Sequence, residues 1–208
     1  MSSVFSLAHS FSNGHPLKME IVQEFSSVEE RCPQIWGVLH RWQEDAERLT
    51  SQSFQENKSK EVNYYRSSLI VSRSVHDILT QWVQKPLLHS ERGVLFLCLD
   101  AQQQIQGCSF LKGVSDSPEK MRWEIEALVV NPLHIADSSL TNQAERISSI
   151  GSSLLKSVEF FLKTTTAPHP VRIDVNSTRG AIPFYIHFGY APPLLSSPNH
   201  PGLLSKQL

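Results

Sequence analysis

The chain has 208 residues, of which 40% are hydrophobic and 9% aromatic, and its formal net charge is -1 at neutral pH. This length allows one domain with a sizeable core, and the composition excludes a disordered chain. The balanced charge excludes a broad electrostatic attraction to nucleic acid or anionic lipid, so neither is an expected partner. No apolar run approaches the roughly 20 residues that a membrane span needs, so no membrane partner is expected either.

The cysteines and the first residues bear on the cellular compartment. Cys32, Cys98 and Cys108 show neither metal-ligand nor redox spacing, and their odd number argues against a disulfide framework. They indicate small buried thiols in a reducing compartment. The opening "MSSVFSLAHSFSNGHP" lacks the basic region of a secretion signal and predicts a flexible lead-in over residues 1–16. We therefore expect a cytoplasmic protein with a single domain over residues 17–208.

The first half of the domain predicts a strand followed by a helical hairpin. "LKMEIVQEF", residues 17–25, alternates apolar and polar positions as a strand does. Apolar residues then recur at helical spacing, and we expect that helix to begin or to kink near Pro33. Residues 44–60 are polar and charged, which predicts the end of this helix and a loop. Ser74 is predicted to cap a second helix that ends before Pro86.

The second half predicts most of a sheet. "GVLFLCLD" and "IQGCSFLKGVS" predict a hairpin around the turn "AQQQ", which places Cys98 and Cys108 on opposite faces. "RWEIEALVVNP" predicts a third extended segment, and "VRIDVNS" predicts a strand after a helix with an apolar stripe from Ile147 to Leu162. A short helix ending at Gly189 and at most one irregular strand complete the chain. This order predicts an α/β fold with a mixed, mostly antiparallel central sheet, one parallel strand pair and helices on both faces.

Three local patterns resemble motifs of the GNAT superfamily of acyl-CoA-dependent N-acetyltransferases. "IEALVVNP" is similar to the family's central strand, "RISSIG" to its pyrophosphate loop, and "STRGAIPFYIHFGY" to its closing motif. The matching residues are Leu128, Val130, Pro132, Arg146, Gly151, Ala181, Tyr185, Gly189 and Tyr190. The resemblance covers roughly the last two fifths of the chain and implies that the parallel strand pair splays apart.

The chain departs from the family patterns in three places. Ser149 stands at the usual first glycine of the loop, Thr178 stands at the usual asparagine of the closing motif, and residues 133–145 form an insertion. A serine at position 149 still lets the backbone approach a phosphate, provided that the position does not require a positive φ.

The stretch "RISSIG" has two structural interpretations. Free main-chain N–H groups at a helix start form a concavity for a pyrophosphate, and Arg146 would add positive charge. The predicted cofactor-binding residues of this stretch are Arg146, Ile147, Ser148, Ser149, Ile150, Gly151 and Ser152. In the alternative, Asn142 and Glu145 form a capping box, and a continuous helix uses those N–H groups internally.

The resemblance also implies where the rest of the cofactor binds. The pantetheine arm would lie between the splayed strands against Leu128, Val129 and Val130, and the N–H of Val130 would face the thioester oxygen. Thr178 would either hydrogen-bond the pantetheine or cap the short helix. Simple burial is the alternative for the valines, and it is compatible with the same role.

Three residues are candidates for proton transfer. Glu124 and Glu126 share a strand face, and either would act as the general base; the alternative is that they face solvent or pair with Arg122. Tyr185 would protonate the departing thiolate, as the closing motif implies, or it would be a core aromatic residue. Tyr64, Tyr65 and Arg66 fall where the family shapes its acceptor pocket, although loop packing explains them equally well.

The sequence therefore predicts an enzyme that transfers an acetyl group from acetyl-CoA directly to a primary amine. It would use no metal and no covalent intermediate, and it would be a monomer or a homodimer. Its partners would be acetyl-CoA and an amine acceptor, either a small molecule or a peptide. The alternative is a catalytically silent GNAT-like module that binds acyl-CoA or a protein. A third possibility is an interaction protein that uses its helical hairpin as a binding surface.

Overall fold

The computed structural model describes residues 7–9, 16–23, 25–84, 93–117, 120–135, 140, 147, 149–165, 171–192 and 202–208. Within these ranges the strands are β1 Leu7–His9, β2 Leu17–Val22, β3 Gly93–Leu99, β4 Ile105–Ser117, β5 Lys120–Val130, β6 Arg172–Asn176 and β7 Leu203–Gln207. The α-helices are α1 Phe25–Gln55, α2 Ser59–Gln84, α3 Ile150–Thr165 and α4 Ile182–His187, and a 3-10 turn covers Pro132–His134.

The seven strands form one sheet in the order of the chain. Every neighbouring pair is antiparallel except β5 and β6, which are parallel. A parallel pair needs a long crossover, and α3 lies in the connection between these two strands. The predicted fold class, a mostly antiparallel mixed sheet with one parallel pair, is confirmed.

Helices cover both faces of the sheet and divide the core in two. On one face α1 and α2 pack on side chains such as Leu95, Leu97 and Cys108. On the other face α3 packs on side chains such as Phe96 and Cys98. The two cysteines of the β3–β4 hairpin therefore lie on opposite faces, as the hairpin register predicts. No helix in the described ranges has the length and apolarity to span a bilayer.

The helical hairpin differs from its prediction in the position of its turn. Helix α1 continues through Pro33 to Gln55, and α2 starts at Ser59, so residues 44–60 are mostly helical. Ser74 lies inside α2, where its hydroxyl donates to the carbonyl of Ile70 at 3.1 Å, and it caps nothing. The prediction failed because the polar stretch on α1 still carries fully buried residues such as Ala46 and Leu49, and Tyr65 is fully buried on α2.

Two further boundaries differ from the predictions. Leu7–His9 forms an edge strand on β2, with Leu7 opposite Met19, within the segment expected to be a flexible lead-in. Helix α3 begins at Ile150, so Ile147 precedes it. The short helix α4 lies where it is expected, and Gly189 follows it with a φ of 83°, a conformation that favours glycine.

Candidate functional site

Strand β5 extends well beyond its parallel pairing with β6, a strand that ends at Asn176. Their pairing runs from Arg122 opposite Arg172 to Ile125 opposite Val175. Strand β5 continues to Val130, still paired with β4, so residues 126–130 have no parallel partner among the described strands. Glu126 is the extra residue of a β-bulge at this point, because Phe110 pairs with Ala127 while Leu111 pairs with Ile125. Bulges bend a strand and raise its twist, which favours separation here.

A cleft of about 440 Å³ lies at the open end of the pair. Its walls come from α2, the end of β5, the start of α3 and the segment that leads into α4. The predicted cofactor-binding residues that line it are Leu128, Val129, Val130, Ser149, Ile150, Gly151, Ser152 and Thr178. The fold thus places three separate sequence motifs around one cavity.

The remaining residues of the predicted loop are placed differently. Ile147 is buried, and its N–H donates to Nδ1 of His134 at 3.2 Å, which ties the loop to the turn after β5. Arg146 and Ser148 lie outside the described residues, as do Asn142 and Glu145 of the alternative capping box.

The start of α3 has the geometry of an open helix N-terminus. Ser149 has a φ of 69°, and the first helical hydrogen bond runs from the N–H of Ser153 to the carbonyl of Ser149 at 2.9 Å. A continuous helix through residues 146–151 is therefore wrong. The first N–H groups of a helix have no intrahelical acceptor, and Ile150, Gly151 and Ser152 all line the cleft. The φ of Ser149 also means that this position does favour glycine, contrary to the expectation.

The register of β5 determines which main-chain groups face the open side. The N–H of Asn131 donates to the carbonyl of Gln106 on the β4 side at 2.9 Å. Because the direction of main-chain groups alternates along an antiparallel strand, Val129 also faces β4. Leu128 and Val130 then direct their N–H and carbonyl groups toward the open side. Val129 was predicted to supply part of the strand edge for the cofactor. Because its main-chain groups face β4, it can contribute only its side chain to the cleft.

Two buried hydroxyl groups in the cleft wall lack hydrogen-bond partners. Within the described part of the chain, neither Oγ of Ser68 nor Oγ1 of Thr178 has one. The helix-capping role considered for the Thr178 side chain is not seen, because the N-cap of α4 is Ala181 and has no side-chain cap hydrogen bond; the Thr178 carbonyl accepts the N–H groups of Ala181 and Ile182 at 3.0 and 3.2 Å. Buried polar groups are nearly always satisfied in folded proteins, so these two hydroxyls mark where a polar ligand would bind.

The two candidate bases lie on β5 beside the cleft. Lys112 is the register partner of Glu124, and its Nζ lies 3.4 Å from Oε1 of Glu126, so both glutamates lie on the α2 face. Oε2 of Glu126 is buried and has no partner within the described residues. Neither glutamate is among the described residues that line the cleft. Arg122, the partner considered in the alternative, has its Nη1 3.2 Å from Oδ2 of Asp174.

Tyr185 belongs to the hydrophobic core on the α3 face of the sheet. Its ring packs 5.1 Å from Phe184 and 5.5 Å from Tyr190 between ring centroids, and only 4% of the residue is exposed. Burial raises the pKa of its phenol well above the usual range. The described lining of the cleft contains its neighbour Phe184 and not Tyr185. The structure therefore places the predicted acid in the core.

The resemblance placed Tyr64 where the family shapes its acceptor pocket, and sequence reasoning missed the rest of the cleft wall that α2 supplies. Tyr64, Ser67, Ser68 and Val71 line the cleft at the spacing of one helical face. That spacing would have revealed the face if residues 59–74 had been recognised as helix. His134 also lines the cleft, and a histidine two residues after the "VVNP" strand end was the available signal.

No model of a known protein family matches the chain, and no curated protein matches its sequence. Solved structures do match. A protein from Exiguobacterium sp. 255-15, assigned as an acetyltransferase, matches with a TM-score of 0.49 and 17% identity over 91% of this chain and 92% of that one. A protein from Desulfovibrio desulfuricans, assigned to the acetyltransferases of the GNAT family, matches with a TM-score of 0.45 and 16% identity over 69% and 92%. Tetrahymena GCN5 matches with a TM-score of 0.45 and 10% identity over 68% and 81%.

Proposed function

We propose that this chain is a GNAT-type N-acetyltransferase that transfers the acetyl group of acetyl-CoA directly to a primary amine. One observation carries the proposal. The unpaired edge of β5, at Leu128 and Val130, and the open start of α3, at Ser149–Ser152, line the same cleft. A strand edge and a helix N-terminus supply the two kinds of donor that the pantetheine amides and the pyrophosphate of CoA require.

The residues present fit such a ligand. The N–H groups of Ile150, Gly151 and Ser152 would receive the pyrophosphate at the positive end of the α3 dipole. Main-chain groups of Leu128 and Val130 would pair with the pantetheine arm. The unpartnered hydroxyls of Ser68 and Thr178 would satisfy further polar atoms of the bound molecules.

The chemistry needs a neutral amine, a place for the developing oxyanion and two proton transfers. The amine nitrogen forms a bond to the acetyl carbonyl carbon, the carbon–sulfur bond breaks, and the sulfur leaves as a thiolate. The N–H of Val130 would stabilise the carbonyl oxygen as it becomes negative. Glu126 or Glu124 would accept the proton of the amine, either directly or through water. A phenol would return a proton to the thiolate.

Two tyrosines compete for the role of acid. The closing motif designates Tyr185, whose burial raises its pKa and weakens it as a donor. Tyr64 lines the cleft from α2. We expect Tyr64→Phe to slow turnover more than Tyr185→Phe, with little change in acetyl-CoA binding for either. If only Tyr185→Phe slows turnover, Tyr185 is the general acid, as the closing motif implies.

The first experiment is thermal unfolding with and without acetyl-CoA. A ligand that binds only the folded state at one hundred times its dissociation constant adds about 2.7 kcal/mol to the free energy of unfolding. For a chain of this size that raises the melting temperature by roughly 5–10 °C. No shift with millimolar acetyl-CoA would contradict the proposal.

The second experiment separates an enzyme from a silent acyl-CoA-binding module. Release of free CoA thiol is followed with a panel of primary amines, and Glu126→Gln and Glu124→Gln are compared with the unmodified protein. Loss of the base is expected to lower kcat roughly a hundredfold. A melting shift without thiol release would favour the silent module, which the burial of Tyr185 supports.

A further inference from the structure

A second cavity of about 740 Å³ adjoins the cleft. Ser67 on α2 and Thr178 and Gly180 in the turn after β6 line both cavities. The two cavities therefore meet where this turn packs against α2. A Cβ on Gly180 would lie 2.6 Å from Oγ of Ser67 and 3.0 Å from the carbonyl oxygen of Asn63. The turn after β6 therefore touches α2 directly, and this contact lies between the two cavities.

Two arginines from different elements line this second cavity. On α2 the lining residues are Asn63, Arg66, Ser67 and Ile70, the spacing of one helical face. Arg179 contributes a second guanidinium from the turn between β6 and α4. No aspartate or glutamate is among the described residues that line the cavity.

Neither guanidinium has a carboxylate partner among the described residues. The guanidinium carbon of Arg66 lies 4.8 Å from the ring centroid of Phe54, a contact that holds its position and leaves its N–H donors available. Arg73, two turns further along α2, is different, because its Nη2 lies 2.8 Å from Oε1 of Glu47. Arginine presents a planar set of donors that matches a carboxylate, and these two exposed groups, in a lining with no described acidic residue, favour an anion.

We infer that the acceptor is an amine that also carries a carboxylate, bound in this second cavity by Arg66 and Arg179. The inference rests on the proposed function. The amine would enter the cleft past Thr178, which lines both cavities and whose Oγ1 has no partner within the described residues. A small amino acid and the amino end of an acidic peptide both offer this chemistry.

The first test compares acceptors that differ only in charge. Thiol release is measured with β-alanine and β-alaninamide, and with a tripeptide that has glutamate in second place and its glutamine counterpart. We expect the carboxylate member of at least one pair to have a kcat/KM roughly tenfold above its neutral partner. The pair that shows the preference identifies the source. Equal or reversed preference in both pairs would overturn the inference.

The second test removes each guanidinium. Arg66→Gln and Arg179→Gln are expected to raise KM for the carboxylate acceptor roughly tenfold and to leave kcat within about twofold. The neutral acceptor and the dissociation constant of acetyl-CoA should not change. Arg73→Gln is the matched control, with the same change on the same helix. Equal losses on both acceptors would indicate a structural role for the arginines and contradict the inference.

The two proposals fail in different ways. If acetyl-CoA does not raise the melting temperature, the proposed function fails. If it does but no acceptor releases thiol, binding of β-alanine and of the glutamate tripeptide to the CoA-loaded protein is measured by calorimetry. Millimolar binding of either that Arg66→Gln weakens supports the inference, and no binding at that concentration overturns it.

Discussion

The two ends of the β5–β6 pair differ in whether β5 has a parallel neighbour. At the paired end, Asp174 is buried and accepts from Arg172 at 2.7 Å and from Arg122 at 3.2 Å. At the open end, Val130 has no parallel partner among the described strands, and Thr178 keeps an unpartnered hydroxyl. The paired end binds the buried Asp174 carboxylate internally, whereas the open end leaves the edge of β5 without a described strand partner and so available to a ligand.

This difference shows that one strand pair can supply both stability and a binding site. The bulge at Glu126 lies close to the point where the pairing stops. We therefore expect substitutions at the paired end to change the free energy of unfolding and substitutions at the open end to change ligand affinity. Three substitutions test this division, and a pH titration tests the buried thiols of the neighbouring strands.

The largest effect is expected from filling the open end. Gly151 lines the cleft, and a Cβ there would lie 3.6 Å from the Phe184 ring, so a larger side chain must occupy the cavity. Gly151→Phe is expected to weaken acetyl-CoA binding roughly a hundredfold or more, measured by calorimetry, because the ring takes the ligand's place. Gly37→Phe on the exposed face of α1 is the control and should bind normally. Unchanged affinity in Gly151→Phe would place the ligand elsewhere.

The next effect concerns the paired end. Asp174→Asn removes a buried charge that faces two guanidinium groups. We expect it to lower the free energy of unfolding by about 2 kcal/mol in urea denaturation, because Arg122 and Arg172 are left beside a neutral group. The acetyl-CoA affinity of the folded protein should not change. The partly exposed Asp45, paired with Arg48, is the control, and Asp45→Asn should cost less than about 0.5 kcal/mol. A loss of affinity without a loss of stability would contradict the division.

A smaller effect is expected from alkaline pH. Burial raises the pKa of the Cys98 and Cys108 thiols to about 12, and the charge of Asp100 adds to the shift of Cys98. A raised folded pKa gives a contribution to stability that is complete below the unfolded pKa near 8.5 and is lost as pH rises toward 12. Between pH 8 and pH 10 each thiol is expected to reduce the free energy of unfolding by about 1 to 2 kcal/mol.

The contribution of the Cys108 thiol to stability is isolated by comparing how steeply the free energy of unfolding declines with pH in three proteins. Cys108→Ala should show a smaller decline between pH 8 and pH 10 than the unmodified protein. Ser109→Ala, a buried and non-titrating neighbour on the same strand, should keep the full decline. Identical declines in all three proteins would mean that other groups cause the alkaline loss.

The smallest effect concerns the strained position at the open end. Ser149 has a φ of 69°, where glycine is favoured over residues with a Cβ. Ser149→Gly is expected to raise the free energy of unfolding by about 0.5 kcal/mol, because relief of strain exceeds the greater chain entropy of glycine. Gln103→Gly relieves a φ of 60° in the β3–β4 turn and is the matched control. A lower melting temperature in Ser149→Gly alone would show that its side chain supports the loop.

The second half of the chain was predictable because its signals are local. Alternation predicted the β3–β4 hairpin, and the strand–helix–strand order predicted the parallel pair. The loop at Ser149–Ser152 was found because small residues precede an apolar helical stripe. The second half of α2 was predicted but its first half was not, because the buried face there includes serines such as Ser68 and Ser72 that composition assigns to loops.

The sequence by itself determined the order and type of most elements and the segments that meet at the open end of the sheet. Only the tertiary structure decided which side chains reach the cleft. A bulge at Glu126 and the packing of the six-residue helix α4 set the direction of nearby side chains. Such directions depend on long-range contacts that local patterns do not record. That is why Tyr185, designated by its motif, lies in the core, while Tyr64 from the mispredicted helix lines the cleft.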